Sequence, residues 1–207
     1  MHRAKKKTGT DLADVAIFMY DKKNAKVTKQ LTAAQQLEIF EILKRDATGL
    51  AKFRHPNMLN LIEAPIEDKT IIAYVTEPFE FNLASIAADP SKKELIPSEL
   101  DLKCILLELI EIVNFLHANT KSIHLNLAPE HVYITKDGKM KLAGLNFIKN
   151  FTSADAVPAQ LDSLLRVGDV SLVPNLRFAA PEVSSQAGMV SAQADIFSIG
   201  CLIYYMV

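Results

Sequence analysis

The sequence predicts an α+β fold, and three patterns predict it. Ile105, Leu106, Leu109, Ile110, Val113 and Leu116 form an apolar stripe at helical spacing. Val132–Ile134 and Met140–Leu142 flank the turn residues Thr135-Lys136-Asp137-Gly138, the pattern of a β-hairpin. Ahead of both, residues 15–20 are rich in Val, Ile, Phe and Tyr and read as a strand, and 59–64 and 70–76 read as two more.

The elements follow in order. Residues 15–20 make the first strand, and Asp21-Lys22-Lys23-Asn24 a turn. Thr32 is placed to cap a helix over 33–53, with Leu37, Phe40, Ile42 and Leu43 on one side and an interruption at Gly49. Two more strands surround the acidic turn Glu67-Asp68, and residues 82–88 form a short helix. Residues 89–99 carry Pro90 and Pro97 and read as a loop; Ser98 or Asp101 then caps the long helix that runs to His117. The hairpin leads into a long segment, 145–182, and the chain ends in the apolar helix 195–207. A helix apolar nearly all round needs burial, so the chain reads as a fragment of a longer protein.

Composition bounds the function classes. With 207 residues, 49% of them hydrophobic, the chain can bury one large core or two small ones. A net charge of −1 gives no support for nucleic-acid binding through a basic field. The run Lys5-Lys6-Lys7 is too short to change that and reads as a solvated end. Cys104 and Cys201 lie in apolar helical stretches, so buried, reduced thiols and a cytoplasmic setting are expected. Residues 1–14 hold no apolar signal segment, and the run 199–207 falls short of the roughly 20 residues of a transmembrane helix.

The stretch HLNLAPEHVYI, residues 124–134, resembles the catalytic loop of protein kinases, H-R-D-L-x-x-x-N. His124 and Leu127 match; Leu125 stands for the Arg, Asn126 for the catalytic Asp and His131 for the metal-binding Asn. Four further landmarks come in the family's order. Val15-Ala16-Ile17-Phe18 is similar to V-A-I-K with Phe18 in place of Lys. Gly144-Leu145-Asn146, 18 residues after Asn126, falls where D-F-G belongs. Ala180-Pro181-Glu182 is A-P-E intact, and the stretch from Asp195 to Gly200 resembles the start of the large lobe's central helix. The lead-in at 173–178, the hinge Glu77-Pro78-Phe79 and Gly144-Leu145-Asn146-Phe147 together resemble the Scy-like pseudokinases, in particular the branch associated with clathrin-coated vesicles.

That resemblance implies a bilobal, truncated kinase-like fold with no Gly-rich-loop strand at its N-terminus and an end inside the central helix. Residues 1–78 would be a small-lobe remnant and 79–207 a partial large lobe. Thr76 would be the gatekeeper, with Glu77 and Phe79 offering backbone contacts to an adenine. Asp46, nine residues before His55-Pro56, takes the place of the small-lobe helix Glu; with no lysine at Phe18 it is expected to be solvated or locally paired. His124 and Asp195 would serve shape, and Glu182 would lack its Arg.

The substitutions bear directly on chemistry. Phosphoryl transfer needs phosphate charge neutralised by Lys and Mg²⁺ and an Asp to receive the hydroxyl proton. Phe18 cannot bond phosphate, Gly144 removes a metal carboxylate, the amide of Asn126 is no base near neutral pH, and His131 is a poor ligand for hard Mg²⁺. His117, His124 and His131 are spaced by seven, but Pro129 and the intervening loop keep them off one helical face, so they form no metal set. The sequence therefore predicts a catalytically inactive module with no metal and no required cofactor, ATP at the hinge being the open question. The resemblance implies protein partners, among them clathrin coat or adaptor components reached through regions outside these residues, and a peripheral location on Golgi, endosomes or coated vesicles. The alternative is a weak atypical Ser/Thr kinase or an ATP-binding switch.

Overall fold

A four-stranded antiparallel sheet carries the N-terminal part of the chain. The computed structural model describes residues 2–8, 11–22, 31–87, 97–151, 156–159, 166–167, 170–171, 173–185 and 188–206. The sheet order is β1 (His2–Thr8), β2 (Asp11–Asp21), β4 (Ile71–Thr76), β3 (Leu61–Glu67). β1 corrects the sequence reading, which placed no strand before Val15. Its residues HRAKKKT lack apolar alternation; they are extended because they pair residue for residue with β2, from His2 opposite Ile17 to Thr8 opposite Asp11. Pairing with the adjacent strand here overrides the propensity of the residues themselves.

Helix α1 (Ala33–Lys52) packs beneath this sheet. Thr32 and Gln35 close a capping box at its start, satisfying N–H groups that lack helical partners. Its buried face is Ile39, Ile42, Ala47, Gly49 and Leu50, while Leu37 is exposed, so the true stripe is rotated from the one expected. Gly49 does not break the helix. A Cβ there would lie 2.7 Å from Cβ of Leu145, so the glycine permits a close approach of the segment that follows the hairpin.

After β5 (Phe81–Asn82) and the short helix α2 (Leu83–Ala87) comes helix α3 (Glu99–Ala118). Ser98 and Asp101, the two candidate caps, act together as one capping box. Its buried stripe is Ile105, Leu109, Ile112, Val113 and Leu116; Ile110 faces out. Cys104 lies one position off that stripe and is exposed, and Cys201 is half-buried; both are free thiols. The expectation of buried thiols is thus corrected. The loop expected over 89–99 falls largely outside the described residues, and Glu99 already belongs to α3.

β6 (Ser122–Ile123) leads into the loop at 124–131, which ends in a 3-10 turn at Pro129–His131. The hairpin β7 (Val132–Ile134) and β8 (Met140–Leu142) then joins β5 in a small sheet. β9 (Lys149–Asn150) pairs with β6, β10 (Ala156–Pro158) with β13 (Met189–Ser191), and β11 (Arg166–Val167) with β12 (Val170–Ser171). Helix α4 (Pro181–Ser185) and helix α5 (Gln193–Met206) complete the described chain. One core joins Ala16, Leu50 and Tyr74 of the sheet region to Leu109, Met140 and Leu202 of the helical region. A second core gathers Ile123, Leu125, Phe147, Val183, Val190 and Ala194 beneath the loop. α5 buries Ala194, Asp195, Ser198, Ile199 and Leu202, while Phe197, Gly200 and Tyr204 are exposed. No helix among the described residues is long and apolar enough to cross a membrane.

Candidate functional site

The loop at 124–131 is fixed from below by one buried carboxylate. Asp195, in the first turn of α5, is fully buried. Its Oδ2 accepts from His124 N–H at 2.8 Å and lies 2.8 Å from His117 Nε2; its Oδ1 accepts from Leu125 N–H at 2.9 Å. Leu125 has φ 62°, a left-handed conformation costly for a branched side chain, and the Asp195 contact holds it there. His124 is also fully buried. Its Nδ1 accepts from Asn126 N–H at 3.2 Å and its Nε2–H faces Ala143 O at 3.1 Å, which defines a neutral tautomer. Burial depresses its pKa to about 4. The structure thus brings His124 and Asp195, the two residues expected to serve shape, together at the base of the loop.

Above that floor stand the positions where transfer chemistry would reside. Asn126 is 5% exposed, and its side-chain amide donates towards His131 Nε2 at 2.9 Å, Asn146 Oδ1 at 3.0 Å and Gly144 O at 3.4 Å. The Gly144 carbonyl and Asn146 Oδ1 accept from this amide, with the His131 ring nitrogen beside it, an arrangement that a donor at position 126 completes. Gly144 has φ 83°, and a Cβ built on it would lie 2.4 Å from Cγ of His131. The imidazole therefore fills the space into which a metal-binding side chain at 144 would project. Burial lowers the His131 pKa, favouring the neutral ring. Among the described residues no group of three or more His, Cys, Asp and Glu could hold a metal.

Phe18 sits in an aromatic quartet. Its ring stacks on Tyr74 at 4.9 Å between centroids and lies 6.1 Å from both Phe79 and Tyr133; Phe79 and Tyr133 are 4.4 Å apart. Such pairs add to the energy of burial by about 0.5–1.5 kcal/mol each. The hinge brings its own bonds. Thr76 is fully buried and its hydroxyl donates to Glu77 O at 3.1 Å. Glu77 N–H donates to Asn60 O, and its carboxylate accepts from Asn60 N–H and pairs with Lys141 at 3.1 Å. Phe79 faces the quartet and is 5% exposed.

Asp46 is locally paired. Its Oδ2 accepts from the Tyr74 hydroxyl at 2.7 Å, and its Oδ1 accepts from Leu145 N–H at 2.7 Å and Gly144 N–H at 3.1 Å. Burial is the first cause of a raised Tyr74 pKa and the Asp46 charge the second, so the hydroxyl stays a donor. Sequence reasoning missed Tyr74 and Tyr133. The available signal was strand parity, since Tyr74 shares the inward face of β4 with Thr76. Ala180 is buried and Pro181-Glu182 open α4, while Gly200 lies on the exposed side of α5.

Residues 11–207 match the protein kinase domain family. The chain is 29% identical over 216 residues to the protein kinase domain-containing protein ppk32 of Schizosaccharomyces pombe, covering 96% of this chain and 28% of that protein. It is 26% identical over 204 residues to human SCY1-like protein 2, covering 92% and 21%. To the serine/threonine-protein kinase SSN3 of Yarrowia lipolytica it is 29% identical over 203 residues, covering 98% and 46%. The chain thus spans between about a fifth and just under half the length of these relatives. The motifs in order, the loop clamped by Asp195, and the family match over 11–207 lead to one conclusion: the chain belongs to the protein kinase domain family and is similar within it to SCY1-like protein 2.

Proposed function

We propose that this chain is a pseudokinase domain, a kinase fold kept for its surfaces and not for phosphoryl transfer. The observation that carries this reading is the amide of Asn126 where a general base would be required, engaged as a donor to Gly144 O and Asn146 Oδ1 with the His131 ring nitrogen beside it. Three features add support. The Phe18 ring is packed into the aromatic quartet, His131 fills the space at Gly144, and the Thr76 hydroxyl is committed to the hinge carbonyl. The likeness to SCY1-like protein 2, with the resemblance to the coated-vesicle branch, supports a scaffold in clathrin-mediated traffic between Golgi, endosomes and the plasma membrane. Contacts to coat or adaptor components would then use regions beyond these residues, and the location would be cytoplasmic and peripheral. The hinge Thr76, Glu77 and Phe79 would hold no nucleotide in ordinary use.

The test is a thermal shift of the whole protein with ATP, with and without Mg²⁺, beside a phosphate-transfer assay. A ligand at 100 times its dissociation constant stabilises by about 2.7 kcal/mol. The expected result is no shift and no transfer, with Asn126→Asp equally inactive. Mg²⁺-dependent transfer by the unaltered protein would favour the second reading, a weak atypical Ser/Thr kinase or ATP-binding switch, which draws on the likeness to the serine/threonine-protein kinase SSN3.

A further inference from the structure

Three parts of the chain meet at Asp46. It projects from α1, receives the hydroxyl of Tyr74 from β4, and receives the backbone N–H groups of Gly144 and Leu145 from the segment after the hairpin. Those residues are 28, 98 and 99 positions away along the chain. Tyr74 is in turn stacked on Phe18 of β2. Behind the carboxylate, Leu145 lies against the glycine surface at Gly49, one turn further along α1. We propose that Asp46 and Tyr74 form a latch that holds α1 against segment 144–145, so that this placement of α1 does not depend on nucleotide. The inference rests on the pseudokinase reading and specifies what maintains the conformation of that site.

The physical argument lies in how the contacts are completed. A half-buried carboxylate needs several donors, and here one hydroxyl and two backbone amides supply them. Hydrogen bonds to a charged group are shorter and stronger than those between neutral groups. The left-handed backbone at Gly144 turns its N–H towards α1 while its carbonyl receives the Asn126 amide at 3.4 Å, so the latch also touches the loop. Tyr74 is positioned twice, by its ring on Phe18 and by its hydroxyl on Asp46. A lysine at position 18 would lose the stack.

Amide hydrogen exchange on the full protein tests the latch. Tyr74→Phe keeps the ring and its stack and removes only the hydroxyl. It is expected to speed exchange over α1 and residues 143–148 about tenfold or more, with α3 unchanged. Asp46→Ala should speed the same amides further, and the double variant should match Asp46→Ala alone, because both changes act on one contact set. Mg·ATP should leave exchange in the unaltered protein the same. Exchange in α1 within twofold of the unaltered protein in both variants would overturn the latch. So would slowing of α1 exchange by Mg·ATP, or full additivity in the double variant. Phosphate transfer by the unaltered protein would sink the pseudokinase reading while leaving these exchange outcomes to judge the latch separately.

Discussion

Gly144 and His131 constrain each other, and that pair decides what the metal position can hold. A Cβ at 144 meets the imidazole at 2.4 Å and 2.6 Å, and φ 83° is strained for any other residue. Gly144→Ala should therefore cost about 2–4 kcal/mol, part of it overlap and part backbone strain. Adding His131→Ala to that variant should recover the overlap part, read as coupling of about 1 kcal/mol or more in a urea double-variant cycle. His124 makes a second prediction, through pH. Its folded pKa of about 4 lies below the ordinary 6.5 because burial disfavours the charged ring. Between those values the unfolded chain binds a proton that the folded chain refuses. Stability should fall as pH drops from 6.5 to 4, by up to about 3 kcal/mol. The carboxylates have their own acid dependence, so the difference between the unaltered protein and His124→Gln across that window isolates the imidazole. His124, Asn126 and Gly144 were legible in the sequence because a loop motif fixes their order. The Asp46–Tyr74 contact was not, because it joins two facing elements and depends on how α1 is rolled against β4.

Among the elements, the N-terminus of α5 has the largest structural duty for its size. Asp195 supplies acceptors for two loop amides and stands beside His117 on α3, so one side chain ties α5, α3 and the loop together. Asp195→Ala leaves those donors unpaired in a buried place and releases the left-handed turn at Leu125; a loss of about 3 kcal/mol or more is expected. Asp195→Asn keeps one acceptor oxygen and should fall between. Urea unfolding of the two variants checks the order, and an alanine variant as stable as the asparagine variant would contradict it. Element type was well marked by periodicity in α1, α3 and the hairpin. Phase was less so: Cys104 and Ile110 sit beside the buried stripe of α3 and turn out exposed, since a stripe drawn from apolar residues alone is wider than the face that packs. β1 left no signature because its partner strand, and not its own residues, makes it extended.

At the scale of the whole molecule, the continuous core argues for concerted behaviour. Side chains from β2, α1 and β4 share one packed cluster with α3, the hairpin and α5. The rings of Phe18, Tyr74, Phe79 and Tyr133 pack together within it, joining β2 and β4 to the hairpin. The fold class was readable from five landmarks in order, whereas this aromatic filling depends on which residues the hinge and hairpin bring face to face. One practical consequence follows from the quartet. The chain contains no tryptophan and five tyrosines. Tyr74 and Tyr133 are buried in the quartet, while Tyr204 is 89% exposed. Near-ultraviolet circular dichroism, which depends on tyrosines held in fixed asymmetric surroundings, will therefore draw much of its intensity from those two rings. The protein carries its own optical gauge of whether its centre is intact, readable without a dye, a label or a ligand.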